Sequence, residues 1–197
     1  AGITSDAYEG DTDAIFAGFG PDLFPGPPPS GTVSLVQGWN DACYTGPQQP
    51  VEGALTGISD KVLALYRLRP DQLYDGWFAG RPDLSTIVAL NPYESLFMLM
   101  GNGTTWAQQP SGTPPASANL VRGWNAVCYT GQTKAVETAT LGISDQIAVI
   151  YALAPDGTWR QFVPGRPELT TLTTLEQFSA LLVLVTEEGG AQWIFDP

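Results

Sequence analysis

The sequence predicts a mainly β fold: two tandem homologous small β-rich modules with short helices, preceded by an extended N-terminal arm. Three observations carry that expectation. The phrase Gly-Trp-Asn-Asp-Ala-Cys-Tyr-Thr-Gly at residues 38–46 returns as Gly-Trp-Asn-Ala-Val-Cys-Tyr-Thr-Gly at residues 123–131. The apolar runs that follow each copy are of strand length and stop at Gly or Pro. Gly (22) and Pro (17) together make up about a fifth of the 197 residues, which favours turns over long helices.

The repeat extends well beyond the phrase. At a constant spacing, residues 35–101 align with residues 120–186 without a gap, and roughly 28 pairs are identical, far above chance. Val51-Glu52 returns as Val136-Glu137, Gly57-Ile58-Ser59-Asp60 as Gly142-Ile143-Ser144-Asp145, and Gly80-Arg81-Pro82 as Gly165-Arg166-Pro167. The parts are then an arm and Pro-rich spacer at 1–30, module one at 31–107, a Pro/Ser/Thr linker at 108–118, and module two at 119–197.

Within each module the first strand is expected at 35–45 and 120–130, where aromatic and small apolar residues lead to a glycine. Residues 52–57 and 137–142 combine Ala and Glu before a glycine and read as a short helix. Residues 61–68 and 146–153 are apolar and end before proline. Residues 73–78 and 158–163 complete a hairpin, with Pro155-Asp156-Gly157 as turn chemistry between the strands of the second copy. Residues 96–100 and 181–185 are unbroken apolar strands of the buried type.

Composition excludes several classes. The chain is 43% hydrophobic and 14% charged, too apolar for a disordered polymer. Its net charge of −12 repels phosphate backbones and anionic headgroups, so nucleic acid and anionic membrane surfaces are not expected partners. There is no histidine, which removes the commonest general base and metal ligand. Two cysteines without histidine make no ordinary zinc site. No glycine-rich loop sits between a strand and a helix to cradle phosphate. The chain is not expected to be an enzyme or to need a cofactor. It begins at Ala1, which reads as an end left by signal-peptide cleavage, so an extracellular or cell-surface location is expected.

The repeat resembles a module found in uncharacterised secreted and surface-attached bacterial proteins. The likeness rests on Gly38-Trp39-Asn40 with Tyr44-Thr45-Gly46, on Gly80-Arg81-Pro82, on the Leu/Thr-rich residues 84–90 and on the final apolar strand, with their partners in the second copy. It departs in that strand, where Tyr-Trp is replaced by Leu96-Phe97 and Leu181-Leu182. The resemblance implies an extracellular location and modular use, and no chemistry.

Candidate sites follow from this frame. Cys43 and Cys128 hold equivalent positions and are expected to be buried. A bond between them needs Cα atoms within about 7 Å, which a local two-fold provides and a linear tandem does not, so free thiols are the expected state. Trp39 and Trp124 are expected in the two cores, and Trp77, Trp106, Trp159 and Trp193 at exposed or interface positions. Asp60 and Asp145 are expected to cap turns or to meet Arg81 and Arg166. Asp6, Glu9, Asp11 and Asp13 lack the spacing of a calcium loop and read as a solvated acidic stretch. Asn102-Gly103-Thr104 matches the N-glycosylation sequon, and Thr104, Thr105, Ser111, Thr113 and Ser117 are candidates for O-linked sugar.

The arm carries the assembly expectation. Ile15, Ala17 and Phe19 alternate along one side of an extended segment, Phe16 lies opposite, and Leu23 and Phe24 follow. Burying four such large side chains is worth roughly 6–12 kcal/mol before ordering costs. The Pro-rich residues 25–30 can span about 3.1 Å each, close to ~20 Å in all. The leading expectation is a structural subunit of an extracellular, pilus-like filament or surface polymer. It would be a head-to-tail homopolymer that donates the arm as a strand to the next copy, with residues 14–24 extended against it. The alternative is a secreted carbohydrate-binding or adhesion module that stacks glycans on exposed tryptophans.

Overall fold

Each half of the protein turns its doubled phrase into the edge strand of a four-stranded antiparallel sheet. The computed structural model describes residues 31–195; the arm, and with it the expected extension of residues 14–24, lies outside the described residues. The first half contains β1 (Thr32–Leu35), β2 (Gly38–Tyr44), β3 (Gln49–Pro50), α1 (Val51–Ala54), β4 (Val62–Leu68), β5 (Tyr74–Phe78), β6 (Ala89–Leu90), β7 (Glu94–Met100) and β8 (Thr104–Ala107). The second contains β9 (Ser117–Leu120), β10 (Gly123–Tyr129), β11 (Lys134–Ala135), α2 (Val136–Ala139), β12 (Ile147–Leu153), β13 (Trp159–Phe162), β14 (Thr174–Leu175), β15 (Ser179–Val185) and β16 (Ala191–Ile194). The main sheets have the orders β2-β7-β4-β5 and β10-β15-β12-β13, with the same strand connectivity. Even the register shift recurs, at Val62/Ala64 and Ile147/Val149. The protein is mainly β, as expected.

The doubled phrase has a local explanation. Gly38 and Gly123 take φ of 94° and 100°, a region that L side chains rarely enter. The Asn40 amide closes the turn: Oδ1 accepts from Val36 N–H at 2.8 Å, and Nδ2 donates to Val36 O at 2.8 Å and Gly38 O at 3.1 Å. Asn125 repeats these bonds with Val121 and Gly123. Tyr44 enters the core and its hydroxyl donates to Pro47 O at 2.7 Å; Tyr129 donates to Gln132 O at 2.9 Å. The tyrosine hydroxyl would lie 2.5 Å from a Cβ at Gly46 and 2.6 Å from one at Gly131, so no side chain fits there.

With Asn40, Ala42 and Tyr44 turned inward, strand alternation sends Trp39, Asp41 and Cys43 to the opposite face. The expectation that Trp39 and Trp124 fill the cores is therefore corrected: Trp39 is 49% exposed and Trp124 is half-buried. The core tryptophans are Trp106 and Trp193, which were expected outside. Each stands above its tyrosine with ring centroids 5.6 Å apart, and each indole N–H donates to the end of the short helix, to Ala54 O at 3.0 Å and Ala139 O at 2.8 Å. Trp77 is also nearly buried, with its indole N–H on Glu52 at 3.3 Å, whereas Trp159 is exposed as expected. Arg81 pairs with Asp83 at 2.8 Å and Arg166 with Glu168 at 2.5 Å, rather than with Asp60 and Asp145.

Residues 108–118 are not a free spacer. The buried Gln108 side chain accepts from Thr45 N–H at 2.5 Å and donates to Cys43 O at 3.1 Å. Ser111 N–H donates to Thr45 O at 2.9 Å, and Thr130 Oγ1 donates to Pro115 O at 2.5 Å. Within the described residues 31–195 the two halves pack into a single compact unit.

Candidate functional site: an aromatic cleft between the modules

The halves meet about a local two-fold axis, not as a linear tandem. Two contacts join a residue to its own repeat partner. Cys43 and Cys128 form a disulfide with Cα atoms 5.2 Å apart, and Tyr93 stacks on Phe178 at 6.2 Å. Other contacts are reciprocal, with β10 against β7 and β15 against β2. The expected free thiols are thus corrected. Both cysteines are buried, but the two-fold brings their edge strands together.

The faces that meet carry the residues pointing away from each core. From the first half these are Trp39, Phe97, Tyr66 and Tyr74; from the second, Trp124, Tyr151, Trp159 and Leu182. Their rings form a chain of contacts. Trp39 lies 5.8 Å from Tyr66 and, equivalently, Trp124 lies 6.0 Å from Tyr151. Across the interface Phe97 lies 6.3 Å from Trp159.

Packing is incomplete at one end. Two adjoining hollows of about 520 and 510 Å³ share Trp39, Phe97 and Trp159. Trp39 and Trp159 remain about half exposed, at 49% and 47%. The walls of the 510 Å³ hollow are mostly apolar, whereas the 520 Å³ hollow also exposes polar surface, with Gln37 and Asp156 among its lining residues. Of the polar groups at the rim, the Asp156 carboxylate is already engaged: Thr158 donates to it through N–H at 2.9 Å and Oγ1 at 2.5 Å, and these bonds hold it below the usual carboxylate range. At the other end the hollow beside Trp124 measures about 270 Å³.

One half-buried acid with a shielded carboxylate lies in this interface. Asp41 is the cross-strand partner of Phe97 and takes a 3.3 Å bond from Ser95 Oγ to Oδ1; its Oδ2 is shielded from water and has no partner. Burial raises its pKa to about 7, against a smaller lowering by Ser95. The Tyr74 hydroxyl is shifted up as well, by burial first and then by Asp41. The second half holds Ala126 and Ala180 at the equivalent positions, so this acid has no twin.

The other candidates do not converge on this cleft. Asn102, Thr105 and Thr113 are exposed, and Thr104, Ser111 and Ser117 are half-buried, with Thr104 Oγ1 accepting from Lys61 Nζ at 3.0 Å. The arm residues Ile15, Phe16, Phe19, Leu23 and Phe24 lie outside the described residues. The sequence does not point to the cleft, because the repeated phrase predicts a core position for Trp39. Comparison with protein-family models, with curated proteins and with solved structures finds no match to this chain.

Proposed function

We propose that the chain is a structural subunit of an extracellular filament or surface polymer, which assembles head to tail by donating its N-terminal arm to a neighbouring copy. The observation that carries the reading is the open cleft of aromatic side chains beside the edge strand β2, in a chain whose first thirty residues contain an apolar segment of matching chemistry. The Cys43–Cys128 bond suits the oxidising compartment that the reading requires. A contact of this head-to-tail type does not close on itself and so propagates as a fibre.

Deleting residues 1–24 is expected to abolish polymers while leaving the thermal unfolding midpoint of the remaining chain within a few degrees, because each half keeps its full strand set and a core of its own within residues 31–195. Sedimentation velocity and circular dichroism on the same sample check both halves of that statement. Normal polymers from the truncated chain would sink arm donation. A large loss of monomer stability would mean that the arm folds back on its own chain.

The joint exposure of Trp39 and Trp159 in one hollow favours a second reading, a glycan-binding module. Sugar sites add several oriented polar groups to their aromatic platform, and here the rim carboxylate is occupied by its own turn. Retardation of a monomer in polysaccharide gels would support this second reading.

A further inference from the structure

The interface is two-fold in plan, but the pair Gln72 and Gly157 breaks the symmetry where a turn meets the edge strand. The turn of residues 69–73 and the turn of residues 154–158 are built alike. Arg69 N–H bonds Leu73 O as Ala154 N–H bonds Thr158 O, and residue 72 bonds back to Arg69 O as residue 157 does to Ala154 O. Both turns need a positive φ at their fourth residue, 68° at Gln72 and 79° at Gly157. Gln72 uses its side chain to seal the interface. Its Oε1 accepts from Trp124 N–H at 2.7 Å and its Nε2 donates to Trp124 O at 3.1 Å.

Gly157 has no side chain to do the same for Trp39, and a Cβ built on it meets nothing within 4 Å. Trp39 stands opposite Leu99 as Trp124 stands opposite Leu184, in the same register of the same edge strand. Its peptide N–H and C=O therefore point off the sheet edge, as those of Trp124 do, and among the described residues no side chain meets them. Like the glutamine amide, an extended backbone can present a C=O acceptor and an N–H donor side by side. What would replace the missing glutamine is thus an extended peptide, with apolar side chains for the walls of Trp39, Phe97 and Trp159.

We propose that this cleft is the acceptor for residues 14–24 of another copy, whose backbone pairs with the Trp39 peptide groups while its apolar residues fill the aromatic hollows. The inference rests on the homopolymer reading and adds the place where the arm lands. The segment Ala14-Ile15-Phe16-Ala17-Gly18-Phe19 has the apolar content for the walls and small residues for close approach at the edge. A polyproline-like extension of its tether, residues 25–30, would span about 20 Å.

Gly157→Gln in the full-length chain tests this by supplying the seal that the twin turn already carries. Gln72 shows that glutamine accepts this backbone conformation. The variant is expected to need at least tenfold more protein to polymerise than wild type, with Gly157→Ala as the control for backbone strain. As a second measurement, a synthetic peptide of residues 14–24 carrying a photoreactive group at Phe19 should crosslink to wild-type chain at segments containing Trp39 or Trp159. Polymers formed equally well by wild type and a folded Gly157→Gln chain would overturn the acceptor site and leave the homopolymer reading standing, as would crosslinks confined to other surfaces. Wild-type chain that stays monomeric would overturn the homopolymer reading, and the acceptor with it.

Discussion

Removing the Cys43–Cys128 bond is expected to cost about 4–5 kcal/mol of unfolding free energy. The two cysteines are 85 residues apart, so the bond closes a long loop in the unfolded chain, and the loop-entropy relation gives a figure of that size. The structure concentrates the consequence in one place, because the bond ties the edge strands β2 and β10, each of which pairs with only one neighbour in its own sheet. Each half keeps its own core, one around Trp106 and one around Trp193, so the halves should retain their strands when the bond is lost. Urea unfolding of wild type and Cys43→Ser, each with and without reductant, measures this. Wild type should fall to the level of the variant on reduction. Identical midpoints for all four samples would mean that the bond does not form in the folded protein.

Stability is also expected to fall as pH rises from about 4 to about 7, by up to a few kcal/mol from Asp41 alone. Folded Asp41 has its pKa raised from 3.8 to about 7, chiefly by burial. The folded chain therefore holds a proton across that window that the unfolded chain has released, and each pH unit removes about 1.4 kcal/mol. Below pH 4 both states are protonated and nothing is lost; above pH 7 the full cost applies. Of the groups packed around this acid, Ser95 on β7 donates to it and Tyr74 on β5 is itself shifted by it. Asp41→Asn should flatten this part of the profile, and Asp41→Ala, which copies Ala126 of the second half, should raise stability at pH 8 more than at pH 4. Parallel profiles for wild type and Asp41→Asn would refute the account of this residue.

Much of the fold was legible because the chain states it twice. Long apolar runs such as residues 181–185 needed only length and periodicity, and the glycines and Tyr44 of the phrase mark real turns and a real core position. Trp39 was misplaced because the phase of its strand is set by its neighbours. Asn40 looks like a surface residue, yet it turns inward once its amide bonds the Val36 and Gly38 backbone, and the large ring beside it must then turn out. Trp106 and Trp193 were not matched because the turn before the last strand is two residues longer in the second half. The disulfide and the cleft depend on how the halves meet, a relation between surfaces that no local pattern encodes. Gln72 against Gly157 was visible as an unlike pair in the alignment, but its meaning depends on the two-fold that brings Gln72 to Trp124.

Self-assembly is the central claim, and the size distribution of the purified full-length chain over a wide concentration range tests it most directly. Sedimentation velocity, with electron microscopy of the same samples, should show extended polymers that lengthen with concentration and keep a constant width. A single species of 21.0 kDa at every concentration would contradict the account.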